Sequence, residues 1–446
     1  MDRSRKATTF LVSILLLLSA LPLNKLEASP GRYRFFIDVN RFGEAEIRIE
    51  YSNSYPGRSW VLVPIHGKWS LEVHVGKVVS ELKSLGPDSF YSNLTLSFNT
   101  TVKLSIIYHF KYASLVSRSD ALFISPLIGY PSYDRGVVEV KIREFDGRSP
   151  YFEGGIVIGD FGKLMIVTPY IRFLHDGALL RFSQPTDFYG NMINVYRIVI
   201  RYKLDPFRNS DVSGIAIRIR TVPVNDSKVT VTFMTPKVYL EEADSLLNIV
   251  ERGVKELASL TSYIPDAISG EFWLPRRLTY GNELTTLGMV ETYIPKRFSI
   301  SLLTLRMKEE EKIHVILHEL SHIFLLGIGI SAKIRWVHEG LAEYISLNLG
   351  IKINYTEFNK IIRKYLKMTN NMSLTQLKVS LFDYPRFFRI FYDICEERGG
   401  LAFLAKVLRR IKDKGGVDNV EELALIFSEI TGEDLSSIFN KLKIIS

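Results

Sequence analysis

The chain has 446 residues, 46% hydrophobic and 24% charged, enough apolar content for a sizeable core and too much for a disordered chain. Its formal net charge is +9, but the basic residues are scattered, with no run that would make a nucleic-acid-binding arm. A single cysteine, Cys395, excludes a disulfide framework and a cysteine-ligated zinc site.

In chain order, Arg3, Arg5 and Lys6 precede an apolar run from Phe10 to Leu23, and the small residues Ala28-Ser29 follow. That order is the one of an export signal. Residues 7–24 also have the length of a membrane span. Residues 1–29 are therefore expected to be a signal peptide or an N-terminal anchor, the latter associating with a membrane through residues 7–24. Sequons starting at Asn93, Asn99, Asn225, Asn354 and Asn371 agree with an extracellular or cell-surface location.

Residues 30–224 read as a β-rich domain. Arg32–Ile37, Ala45–Tyr51, Leu94–Phe98, Val102–Tyr108 and Val137–Ile142 alternate or are rich in β-formers. So are Gly155–Ile158, Leu164–Val167 and Val195–Tyr202. Turn signals such as Tyr55-Pro56-Gly57 and Gly86-Pro87-Asp88 separate them. The pattern predicts an antiparallel β-sandwich-like domain. It changes near Val222-Pro223-Val224. Residues 225–446 then carry short strands at Val229–Met234, Gly270–Trp273 and Phe298–Leu303. The rest is mainly helical, over Tyr239–Leu260, Lys308–Leu326, Val337–Leu349, Arg386–Glu397, Ala402–Asp413 and Val420–Lys443. Gly327 and Gly329 stop the second of these helices. The expected class is α+β, with a β-rich domain followed by a mainly α domain.

His318-Glu319-Leu320-Ser321-His322 lies in the second helix and reads H-E-x-x-H. Residues i and i+4 share one helix face, so both imidazoles can reach one metal ion. Glu319 projects beside the same site as a candidate proton acceptor. Such a site needs a third protein ligand and one open position. Two residues in Trp336-Val337-His338-Glu339-Gly340-Leu341-Ala342-Glu343-Tyr344 are candidates, Glu339 and His338. Glu343, one helical turn after Glu339, can orient His318 or His322 from behind.

H-E-x-x-H followed by W-x-x-E-G-x-A-x-Y resembles the gluzincin zinc metallopeptidases, and the aminopeptidase N family among them. The resemblance implies Zn2+ held by His318, His322 and Glu339 in a thermolysin-like peptidase domain, with Glu319 as the catalytic base. Gly288-Met289-Val290-Glu291-Thr292 is similar to the family's G-A-M-E-N stretch, with Met289, Val290 and Thr292 as departures. It implies an edge strand along the substrate, with Gly288 and Glu291 binding substrate and Glu291 holding its free α-amine. Tyr384 stands where the family has a tyrosine that assists the oxyanion, and Tyr392 is its rival. The function so implied is hydrolysis of peptide bonds by a metal-activated water, aminopeptidase-like and exported, acting on a peptide or protein. The alternatives are a secreted zinc endopeptidase and a cell-surface binding or scaffold protein with a vestigial zinc site.

Overall fold

The computed structural model describes residues 30–65, 68–85, 89–144, 153–158, 164–187, 189–205, 209–275, 286–291, 296–370, 384–436 and 438–439. The expected signal or anchor at residues 1–29 lies outside them, as do Thr292, Asn371 and the turn at 86–88. Among the described residues no helix is long and apolar enough to cross a membrane.

The first half is built of strands because its side chains alternate. In Arg32–Val39, Tyr33, Phe35, Ile37 and Val39 are buried while Arg32 and Arg34 face solvent, the period-two pattern of a half-buried strand. That strand sits in a seven-stranded sheet. The order is Tyr170–Leu174, Gly177–Ser183, Arg135–Arg143, Arg32–Val39, Ala45–Asn53, Val102–Phe110, Trp69–Val75. A three-stranded sheet places Tyr91–Phe98 between Gly57–Pro64 and Val78–Ser84. Another sheet is organised around Val195–Lys203. Tyr33 Oη reaches Ser59 Oγ at 2.7 Å and donates to the Trp60 carbonyl at 3.1 Å, tying the large sheet to the three-stranded one. The expected sandwich is thus present. One pairing departs from the antiparallel expectation, since Arg32–Val39 runs parallel to Arg135–Arg143.

The second half carries a five-stranded sheet in the order Ile215–Val224, Ser227–Pro236, Ala267–Trp273, Arg297–Ser301, Gly288–Val290. The first two strands form an antiparallel hairpin turning at Asn225-Asp226. The change of pattern at 222–224 therefore falls inside a hairpin, and its first strand belongs with the helical half. The inner pairs are parallel. Among the described residues, Gly288–Val290 closes the sheet as an antiparallel edge.

Eight helices are described: α1 (Ser210–Ser213), α2 (Leu240–Thr261), α3 (Glu309–Gly327), α4 (Arg335–Lys352), α5 (Phe358–Thr369), α6 (Tyr384–Glu396), α7 (Leu401–Asp413) and α8 (Val420–Thr431). In α2 the buried residues Ala243, Leu246, Leu247, Val250, Val254 and Leu257 recur at helical spacing and make one apolar stripe. Helix α3 opens with Glu309, Glu310 and Glu311, acidic charges that favour the positive end of the helix dipole. Helix α5 was not expected from the sequence. Helix α8 is shorter than the expected Val420–Lys443, because Gly432 takes φ +71° and caps it in the left-handed conformation. The halves meet where Tyr239 Oη accepts the Val116 N–H at 2.9 Å and Arg306 Nη1 donates to the Ile124 carbonyl at 3.0 Å.

Candidate metal centre

The site is assembled from α3, α4, the start of α6 and the edge strand. Helix α3 ends at Gly327, and the chain reverses through Gly329 at φ +89°. A side chain at Gly329 would meet Gly416 Cα at 2.7 Å, so the backbones can approach there only without one. Ile330 then pairs with Val417 in a parallel bridge. This turn lays α4 against α3. On α4's far side, a Cβ at Gly340 would stand 2.6 Å from the Phe391 ring of α6. The glycine after Glu339 is a packing requirement that seats α4 between its neighbours.

Three side chains converge. His318 Nε2 and His322 Nε2 are 3.1 Å apart. Glu339 Oε2 lies 3.3 Å from His318 Nε2 and 3.6 Å from His322 Nε2. These side chains retain 10%, 14% and 13% of their exposure for His318, Glu339 and His322, so the cluster is sunk but open to one side. A zinc ion with nitrogen and oxygen ligands at roughly 2.0–2.1 Å sets tetrahedral ligand-to-ligand edges of roughly 3.3–3.4 Å. The observed triangle brackets that value, and two imidazoles with one carboxylate are a suitable donor set. Burial alone would raise the Glu339 carboxyl, but the contacts from His318 and His322 outweigh it and hold it well below the usual carboxylate range. Glu339, not His338, is the third member of the triangle.

Behind the triangle, His318 Nδ1 lies 2.9 Å from Glu343 Oε2. Glu343 is itself held from two more sides, by His314 Nε2 at 3.1 Å from Oε1 and by the Tyr365 hydroxyl donating to Oε1 at 2.9 Å. Of the two histidines open to Glu343 in the sequence reading, the structure selects His318. His314, His318 and Glu343 make a second group of metal-ligating type. His318 faces it with Nδ1, and Tyr365 already holds the carboxylate. Tyr365 was missed because α5 was missed, although Phe358, Ile362, Tyr365 and Thr369 follow helical spacing.

Glu319 is buried, and burial raises its carboxyl above the ordinary value of 4.5. It packs directly under the edge strand: a Cβ on Gly288 would sit 2.5 Å from Glu319 Oε1. Gly288, expected to bind substrate, lies against the Glu319 carboxylate. Glu291, at the strand's end, has its Oε1 3.5 Å from Arg297 Nε, and Arg297 Nη2 also donates to Glu271 at 2.7 Å. Its carboxylate therefore shares an arginine with a second acid.

Tyr384 opens α6 and sets its ring edge-on to His318, with centroids 5.7 Å apart. Burial, then the charges of Glu339, Glu319 and Glu343, push its hydroxyl far above the usual tyrosine range. Tyr392 instead packs on Phe388 at 5.4 Å. Of the two tyrosines, Tyr384 is the one brought to the histidines.

No family model and no curated protein matches the chain. Among solved structures, an M1 zinc metallopeptidase from Deinococcus radiodurans is similar at 12% identity and TM-score 0.38, over 94% of each chain. A mutant of it bound to a Tyr-Ser-Ala substrate gives 12% and 0.37, over 94% of this chain and 93% of that one. A two-domain M1 zinc metallopeptidase mutant bound to L-tryptophan gives 13% and 0.38, over 93% of each. At such values the reading of the site rests on its own residues.

Proposed function

We propose that this chain is a zinc-dependent, aminopeptidase-like peptidase that works outside the cytoplasm. The observation that carries the reading is the triangle of His318, His322 and Glu339 with the Glu319 carboxylate beside it under a sheet edge. Zinc bound there supplies Lewis acidity and lowers the pKa of a bound water. Glu319 accepts the proton of the attacking water and delivers it to the leaving amine. Its raised pKa suits both halves of that transfer. The Tyr384 hydroxyl, kept protonated by its surroundings, donates a hydrogen bond to the developing oxyanion. Among the described residues no strand pairs with the outer side of Gly288–Val290, and its backbone groups are the candidate place for an extended peptide to add as a further strand. Glu291 at the end of that strand is the candidate anchor for a free α-amine.

Glu319→Gln is expected to keep its zinc and lose about 10²–10⁴-fold in turnover. Metal content and peptide hydrolysis measured on one preparation check this, and retained turnover overturns the assignment. An endopeptidase is the second reading, and one observation favours it: Arg297 already contacts the Glu291 carboxylate. Comparing free with N-acetylated peptides separates the two, because an amine anchor predicts loss of cleavage on acetylation. Export is proposed from residues 1–29 alone. Sequencing the amino terminus of the protein recovered outside the cell tests it.

A further inference from the structure

The imidazole of His338 is buried beside the metal-facing pair, and hydrolysis as derived above leaves it without a task. Its Nδ1 faces His322 Nδ1 at 3.4 Å, and its Nε2 faces the Ile330 carbonyl oxygen at 2.7 Å. The proton inventory of this chain is forced at both ends. A carbonyl oxygen only accepts, so His338 carries its proton on Nε2. That leaves Nδ1 of a neutral His338 as an acceptor, facing the Nδ1–H that His322 must carry when its Nε2 lone pair is given to a metal. The ring planes of His322 and His338 are inclined by 31°, with centroids 5.6 Å apart.

We infer that His338 is a positioning residue: a neutral imidazole that fixes the tautomer and rotation of His322, as Glu343 does for His318. This rests on the zinc reading of His318, His322 and Glu339. The two ligands thereby receive unlike support. His318 is backed by a carboxylate and His322 by an uncharged acceptor. The uncharged partner orients His322 without adding a second negative charge behind a triangle that already holds Glu339. Its own orientation is set by the Ile330 carbonyl, and the turn at Gly329 and the bridge to Val417 place that carbonyl.

The test compares the parent protein with His338→Leu and His338→Asn. Zinc affinity is read by competition with a chromogenic chelator, and unfolding of the metal-free proteins is followed alongside. The leucine variant, which cannot accept, is expected to bind zinc about 10–100-fold more weakly. The asparagine variant, whose side-chain carbonyl can accept from His322, should recover most of that loss. Leucine and asparagine variants binding zinc equally tightly would overturn the inference. A second measurement needs no variant to fold. Nitrogen-labelled histidine rings in the zinc-loaded parent should show His338 protonated at Nε2 alone and His322 at Nδ1 alone. The opposite tautomer at His338 sinks the idea. If the parent binds no zinc, the reading of the metal site fails instead.

Discussion

His338 is a neutral ring in a nest of ionisable neighbours, and that gives it a measurable signature. Burial first, and the neighbouring His322 next, lower it from 6.5 to about 4. In the unfolded chain the ring takes a proton below 6.5, while the folded one refuses it until about 4. The folded state therefore binds fewer protons in that window, and stability is lost as pH falls through it and is flat above it. For the metal-free protein, the unfolding midpoint of His338→Asn should fall less steeply between these pH values than that of the parent. Identical slopes would show that His338 is not held neutral. His318 has the opposite tendency. Burial opposes its charge, but Glu339 and Glu343 raise it well above its ordinary value, so its contribution is lost as pH rises. Comparing parent with variant isolates the contribution of His338 from that of His318.

At the scale of elements, the site depends on how closely the edge strand rides over α3. Gly288 leaves room for the Glu319 carboxylate, and a methyl group there would stand 2.5 Å from Oε1. Gly288→Ala should lower turnover by about 10²-fold, the size of effect expected when a reacting group is shifted by about 1 Å, with zinc content unchanged. Unaltered kinetics would mean that the strand moves aside and does not position Glu319. Helix α3 and its ligands were legible in the sequence because two histidines four apart need only one local rule. Glu339 was legible through the motif around it. His338 could not be assigned the same way, since its role depends on the Ile330 carbonyl, and a turn between helices sets that contact. Helix α5 was legible too, since Phe358, Ile361, Ile362, Tyr365 and Leu366 fall at i, i+3, i+4, i+7 and i+8, but nothing in that spacing ties Tyr365 to Glu343, a contact made only by the packing of α5 on α4.

For the whole molecule, the two halves were legible as classes and not at their join. Alternation marks strands with one wet face. In Ile215–Val224, however, the isoleucines at 215, 217 and 219 are exposed and the arginines at 218 and 220 turn inward. Those arginines meet acids of α2, Arg218 with Asp244 and Arg220 with Glu251. Pattern alone could not assign such a strand to the second half. The halves are fastened near Tyr239, whose hydroxyl accepts the buried Val116 N–H. Tyr239→Phe strands that donor and should cost about 1–3 kcal/mol, read by denaturant unfolding. A change within error would show that the fastening is made elsewhere, by contacts such as that of Arg306.

The bridge between Ile330 and Val417 has a practical consequence. Val417 donates its N–H to the Gly329 carbonyl, and its carbonyl accepts the Ser331 N–H, each at 2.9 Å. The stretch that aims His338 is thus pinned by a segment between α7 and α8, far along the chain. Proteolytic trimming that removes everything after α6 would spare every ligand and the base, yet release the clip that holds them in register. A chain so shortened is expected to bind zinc more weakly than the full-length one, although its ligands remain intact.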